Sequence, residues 1–116
     1  MRGPDILKKM VALKQKDKFA TSEWELRGLN PSDLRTVTKL THTLNDLLDV
    51  LIEQLRTQQT DDELQKSLTK GLKSFKARDY DTEEREFIAD YIHEISCILE
   101  TDIGDEIDAW MYSGTS

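Results

Sequence analysis

The 116-residue chain combines 37% hydrophobic with 34% charged residues, a balance too apolar for a disordered protein and typical of one helical domain with a large wetted surface. Its net charge of −7 is concentrated in residues 81–116, where eleven acidic residues accompany a single basic one, which excludes nucleic acid and anionic lipid as partners of that segment. No stretch has the length of a membrane span or a signal peptide, and the single cysteine favours a reducing compartment, so we expect a cytoplasmic protein.

Three helix starts are predicted in the first third of the chain. From Ile6, apolar residues recur on one face with lysines opposite, and this helix should end near residues 17–19. Residues 22–25 (SEWE) have the form of a capping box and predict a short helix that ends by Gly28. Residues 30–33 (NPSD) predict the next start, with Asn30 as the cap and proline in the first helical position.

The helix that begins there is predicted to be the longest, because from Leu34 onwards aliphatic residues repeat at spacings of three and four for more than twenty residues. Residues 60–63 (TDDE) form a second capping box and begin the helix that follows. Gly71 lies inside that helix and costs it roughly 1 kcal/mol relative to alanine. Either a close helix crossing or a bend would explain this glycine.

Two further helices are predicted in the acidic third. Residues 81–84 (DTEE) form a third capping box, and the helix they begin has an apolar stripe from Phe87 to Leu99. After Gly104 a last short helix is expected to fold Ile107 and Trp110 back onto the core.

These patterns predict an all-α protein, a compact antiparallel helical bundle of about four long helices plus two short ones. An isolated amphipathic helix is marginal in water, so the apolar faces must bury one another. Connections of a few residues favour antiparallel neighbours. Residues 1–112 are expected to form a single helical domain, with residues 113–116 as a frayed tail.

The possible metal ligands are two histidines with nearby carboxylates. Asp90 and His93 form a D-x-x-H pair, and His42 has Asp46 one turn later. If the two pairs converged, the chain would be a small helical metal-dependent enzyme. Local hydrogen bonds on separate helices are the simpler interpretation, so no metal or cofactor is expected. Cys97 lies in an apolar run and should pack as a small hydrophobe.

The basic N-terminal helix offers a different alternative. Its lysines could simply form a wetted face, or they could bind nucleic acid. They could equally pair with the acidic third, within one molecule or between the two copies of a homodimeric structural protein. The lysines concerned are Lys8, Lys9, Lys14, Lys16 and Lys18.

Residues 81–88 (DTEEREFI), followed by Tyr91, Ile95 and residues 110–112 (WMY), resemble the signature of a family of small bacterial all-helical domains of unknown function. Residues 19–26, with Trp24, fit the same signature. The resemblance covers most of the chain, implies a bacterial source and assigns no activity. In size and acidity the chain is also similar to immunity proteins, which present carboxylates to basic toxins.

The leading hypothesis is therefore a non-enzymatic acidic protein-binding domain, an immunity or antitoxin-like inhibitor of a basic bacterial partner. The predicted partner-binding carboxylates are Asp90, Glu94, Glu100, Asp102, Asp105, Glu106 and Asp108. The predicted aromatic anchors are Tyr80, Trp110 and Tyr112, because large aromatic side chains carry much of the energy of protein interfaces.

Overall fold

In the computed structural model, residues 4–16, 18–28 and 32–112 are described, and these ranges contain six α-helices, one 3₁₀-helix and no strand. The elements are α1 (Pro4–Gln15), α2 (Thr21–Leu26), α3 (Leu34–Arg56), α4 (Asp61–Ser74), the 3₁₀-helix (Ala77–Asp79), α5 (Thr82–Ile98) and α6 (Gly104–Tyr112). Four of the α-helices are long and two are short, so the all-α prediction is confirmed. The predicted tail at 113–116 lies outside the described ranges.

Helix α1 ends at Gln15, earlier than predicted, because Lys18 folds back over its last turn. The ammonium group donates to the carbonyl oxygens of Leu13 at 3.1 Å, Lys14 at 3.0 Å and Lys16 at 3.1 Å. The last carbonyls of a helix have no partner within the helix, and a cation also interacts favourably with the negative end of the helix dipole. Lys18 is fully buried and therefore does not belong to a wetted basic face.

The starts of α2 and α3 differ from the prediction. Ala20 occupies the N-cap of α2 without a side-chain hydrogen bond, so the capping box proposed at residues 22–25 was wrong. Gly28 follows α2 with a φ of 73°, which agrees with its predicted role at the helix end. The cap predicted at Asn30 lies outside the described ranges, and α3 is capped by Asp33, which accepts from the Thr36 amide at 2.8 Å. Hydrogen bonds from Thr36 hold the pKa of Asp33 below its ordinary value.

The other two caps are where the sequence predicts them. At the start of α4 the Thr60 hydroxyl oxygen accepts from the Glu63 amide at 3.2 Å, but Glu63 does not return a bond to the Thr60 amide, so only half of the predicted capping box forms. At the start of α5, Asp81 accepts from the Glu84 amide at 2.7 Å, and Glu84 accepts from the Asp81 amide at 2.9 Å, which completes the predicted capping box. The Ser32 hydroxyl donates to the other oxygen of Glu84 and so ties the segment before α3 to α5.

Helices α3 and α5 end in left-handed residues that are not glycine, so the sequence contains no glycine signal for these two helix ends. Gln58 and Glu100 both adopt a left-handed conformation with a φ of 58°, a position usually taken by glycine. After α3 the Gln59 amide donates to the Gln54 carbonyl at 3.0 Å, and an equivalent bond of 2.9 Å closes α5. Both ends therefore reverse the chain sharply without a glycine.

The core is built around α3, which packs on α1 and α4, while α5 packs on α1, α4 and α6. The buried residues of α3 are Leu40, Leu44, Leu47, Leu48, Leu51 and Ile52. A Cβ atom built on Gly71 would lie 2.8 Å from Cγ of Leu47 and closer still to both methyl groups, so the close-crossing interpretation of this glycine is right. Leu34, at the start of the predicted stripe, is instead 80% exposed.

The contacts between helix ends show how the helices run relative to one another. Leu47 of α3 meets Gly71 of α4 across a short connection, so these helices run antiparallel. The Arg85 guanidinium donates to the Met111 carbonyl at 3.2 Å, which brings the start of α5 to the end of α6 and makes this pair antiparallel too. Helix α6 then returns along α4, and both acidic helices are held against the core.

Candidate functional site

All seven carboxylates predicted to bind a partner are exposed. They do not form one patch, because the structure distributes them over the outer face of α5, the α5–α6 connection and two sides of α6. They differ in how much positive charge lies nearby. We call a carboxylate compensated where a basic side chain pairs with it or lines the same notch, and uncompensated where none does.

Only one of the three predicted aromatic anchors is open to a partner. Tyr80 is 6% and Trp110 7% exposed, whereas Tyr112 is 72% exposed. The Trp110 indole N–H donates to the Phe75 carbonyl at 2.7 Å, so its ring fixes α6 to the end of α4. Burial, with smaller contributions from two neighbouring carboxylates, raises the pKa of Tyr80. Tyr80 and Trp110 therefore stabilise the core, and their prediction as anchors is corrected.

The carboxylates of α5 face basic side chains. Asp90 pairs with Arg27, whose guanidinium carbon also lies 4.5 Å from the ring centroid of Phe87. Glu94 lines the same notch of about 160 Å³ together with Lys16. Part of the negative charge on this face is thus compensated within the molecule, which lowers its attraction for an external cation.

The outer face of α6 is less compensated. Ile107 and Trp110 point into the core, and Asp105, Asp108 and Tyr112 lie on the opposite side at spacings of three and four residues. Within the described ranges, no lysine, arginine or histidine lies at ion-pair distance from Asp105 or Asp108. This face therefore combines negative charge with an exposed aromatic ring.

The three remaining carboxylates have distinct positions. Asp102 accepts from the Gly104 amide at 2.9 Å and so satisfies a donor at the start of α6. Glu106 lies on the flank of α6 beside Lys73 of α4, in a surface groove between the two helices. Glu100 occupies the left-handed turn after α5, four residues before α6 begins at Gly104. Within the described ranges, neither Glu100 nor Glu106 has a basic side chain at ion-pair distance.

The two histidines lie in separate pairs. His42 Nε2 is 3.4 Å from a carboxylate oxygen of Asp46 on α3, and His93 Nε2 is 3.7 Å from the Cys97 sulfur on α5. Across the described residues, no three histidine, cysteine, aspartate or glutamate side chains are grouped so that they could hold a metal ion. The four possible ligands of the alternative interpretation are therefore not grouped at one site. Cys97 is exposed on the outer face of α5, so the expectation that it packs in the core was wrong.

The basic helix α1 uses part of its charge inside the molecule. Lys14 pairs with Asp49 of α3, and Lys16 lies 3.4 Å from Glu23 of α2. Lys8 and Lys9 are exposed. These ion pairs connect α1 and the residue that follows it to α3 and α2, and Lys16 also lines the notch that contains Glu94 of the acidic third.

A second charged surface was missed by sequence reasoning. Lys66, Lys70 and Lys73 line the groove between α4 and α6 that Glu106 faces from the other side. They are spaced four and three residues apart, which places them on one side of α4, so the sequence could have predicted this basic helix face. The opposing wall belongs to a helix more than thirty residues later, and only the fold brings it there.

Comparisons with known proteins identify relatives of the chain. A family model described as a domain of unknown function (DUF4844) matches residues 1–115. No curated protein matches the chain significantly. The fold is similar to that in a crystal structure of a DUF3571 family protein from Acinetobacter baumannii, with a TM-score of 0.79 and 20% identity, covering 94% of this chain and 89% of that chain. At this identity the likeness shows the fold alone.

Among residues 4–16, 18–28 and 32–112, no helix is both long enough and apolar enough to cross a bilayer.

Proposed function

Because the chain belongs to the DUF4844 family of unknown function, its role must be inferred from its own surface, and we propose that it is a non-enzymatic protein-binding domain. In this proposal the outer face of α6, formed by Asp105, Asp108 and Tyr112, docks onto a basic surface of a partner protein. Glu100, on the turn before α6, is a further exposed carboxylate that the partner would meet in this proposal.

The proposal rests on one observation, the two-sided character of α6. One side is buried through Ile107 and Trp110, and the other carries two carboxylates beside a tyrosine that is 72% exposed. An aromatic side chain can bury a large area in an interface while its hydroxyl keeps a hydrogen-bond partner. Surrounding carboxylates attract a basic partner and exclude an acidic one.

The charge of the whole molecule supports the same assignment. A net charge of −7 draws a basic protein towards the domain over distances comparable with the Debye length, about 8 Å at physiological ionic strength. An immunity protein or antitoxin would use such a surface to cover the basic active region of a toxin. The proposed action needs no catalytic group in this chain.

The test begins with a charge reversal on α6. The variant Asp105→Lys/Asp108→Lys is compared with wild type and with Glu25→Lys/Glu53→Lys, which makes the same change of charge at exposed positions of α2 and α3. The three immobilised proteins are exposed to lysate of the source organism, and proteins retained by wild type and control are identified by mass spectrometry. Each candidate is then purified and titrated calorimetrically.

We expect a basic protein that binds wild type and control with similar Kd and the α6 variant at least about tenfold more weakly, equivalent to about 1.4 kcal/mol. Tyr112→Ala should weaken the same complex, and added salt should weaken it further. If no basic protein is retained, or if the α6 variant binds the retained protein as tightly as wild type, the proposal fails.

A further inference from the structure

The groove between α4 and α6 has a charge opposite to that of the molecule as a whole. Lys66, Lys70 and Lys73 form one wall, and Glu106 is the acidic residue that lines it. Lys66 lies 3.2 Å from Asp62, and hydrogen bonding to that carboxylate raises the pKa of Lys66. Within the described ranges, Lys70 and Lys73 have no carboxylate at ion-pair distance.

The groove continues into an apolar depression of about 440 Å³ at the C-terminal end of α4. Lys73 and Glu106 line both parts, so the lysine wall and the depression are continuous. The apolar lining consists of Phe75, Ala77, Ala109 and Trp110, and Lys76 lies at its edge. One continuous surface therefore offers a row of cations that ends in an apolar pocket.

The two walls are held together at both ends of the groove. The Gln65 side-chain amide donates to the Asp102 carbonyl at 3.1 Å, and the Trp110 indole donates to the Phe75 carbonyl at 2.7 Å. Both bonds join α4 or its C-cap to α6 or the segment just before it. The groove thus belongs to the folded core, and an occupant would find it already formed.

We propose that this groove binds an acidic peptide segment of a partner protein, one that carries a large apolar side chain beside two or three carboxylates. Lys66 and Lys73 are seven residues apart on one helix face, a distance of about 10 Å. A row of that length suits several carboxylates of a peptide and exceeds what one phosphate or carboxylate ion would contact. The apolar depression receives the large side chain.

A nucleic acid has the same charge but fits this surface poorly. Asp105 and Asp108 lie on the neighbouring side of α6 and would repel the continuous phosphate chain that runs beyond the groove. The apolar lining also favours a protein side chain over a phosphate backbone. A short acidic segment needs to enter only the groove itself and avoids the acidic surface around it.

The test is a selection of random short peptides displayed on phage. The targets are wild type, Lys70→Glu/Lys73→Glu, and the control Lys8→Glu/Lys9→Glu, which makes the same change of charge on α1. We expect wild type and control to enrich peptides with clustered Asp or Glu beside Trp, Phe or Leu, and we expect the groove variant not to enrich them.

An enriched peptide is then synthesised with a fluorescent label and titrated by anisotropy. Its Kd should rise at least about tenfold for Lys70→Glu/Lys73→Glu and also for Ala109→Glu, which places a carboxylate beside the apolar depression without altering a lysine. Circular dichroism establishes that each variant is folded. A peptide with Gln and Asn in place of its Glu and Asp should lose binding to wild type.

Three results would overturn the proposal. The first is the absence of acidic peptides from the wild-type selection, and the second is equal binding of the enriched peptide to the groove variants. The third is tighter binding of a single-stranded oligonucleotide than of the peptide at the same salt concentration. Retention of peptide binding by Asp105→Lys/Asp108→Lys would show that the groove acts independently of the outer face of α6, so the two proposals can fail separately.

Discussion

Replacing Lys18 by methionine tests the cap at the end of α1. Methionine keeps a similar length and apolar stem but removes the ammonium group that donates to three carbonyl oxygens at 3.0 to 3.1 Å. Hydrogen bonds to a charged group contribute roughly 1.5 to 3 kcal/mol each, and a buried carbonyl without a partner costs about 1 to 3 kcal/mol. Methionine also avoids the cost of burying an ammonium group, which offsets part of this loss.

The net effect should be a loss of about 2 kcal/mol in the free energy of unfolding, a large share of the 5 to 15 kcal/mol typical of a domain. Urea denaturation followed by circular dichroism measures it, and with an m-value of about 2 kcal/mol per molar the midpoint should fall by roughly 1 M. Lys9→Met, at an exposed position of the same helix, should change the free energy by less than about 0.5 kcal/mol.

Hydrogen exchange adds a local readout of the same substitution. The amides in the last turn of α1 should lose protection in Lys18→Met beyond the change caused by global destabilisation, because their helix end loses its cap. If Lys18→Met is as stable as Lys9→Met, the three hydrogen bonds contribute no net stability and the reasoning is refuted.

Two further substitutions test the helix crossing and the chain reversals. Gly71→Ala should lower the free energy of unfolding by about 1 kcal/mol, since overpacking against Leu47 outweighs the gain in helix propensity. In a Leu47→Ala background the same substitution should be neutral or stabilising. Urea denaturation of the two single variants and the double variant tests this, and additive changes in free energy would contradict the close crossing. Gln58→Gly should raise the midpoint of thermal unfolding, with a gain of roughly 0.5 to 1 kcal/mol, because glycine tolerates a φ of 58°. Gln58→Ala keeps the Cβ atom and should give no such gain, so equal effects would rule out backbone strain as the cause.

The carboxylates of the candidate site were easier to predict than its aromatic residues. Acidic side chains are costly to bury, so the exposure of Asp105 and Asp108 follows from their chemistry. Trp110 and Tyr80 have both an apolar ring and a polar group, and either an exposed or a buried position satisfies them. The choice depends on whether a carbonyl such as that of Phe75 lies within reach of the indole.

A capping-box pattern in the sequence likewise does not always predict where a helix begins. At Asp81 the predicted reciprocal bonds form, whereas residues 22–25 have the same pattern and do not begin a helix. Helix α2 starts at Thr21 instead, and its Trp24 is buried in the core, where it packs edge-on against Phe87 at a centroid distance of 4.7 Å. A capping pattern contributes about 1 kcal/mol, which is small beside the burial of a large aromatic ring.

The helical class, the four long helices and the apolar face of each could be predicted from residue order, because the hydrogen bonds and the periodicity that define a helix act within four residues of one another. The pairing of Asp90 with Arg27, 63 residues apart, could not. Nor could the groove between α4 and α6, or the burial of Lys18. Each of these depends on how the helices rotate and cross, which is settled jointly by all the side chains that fill the core.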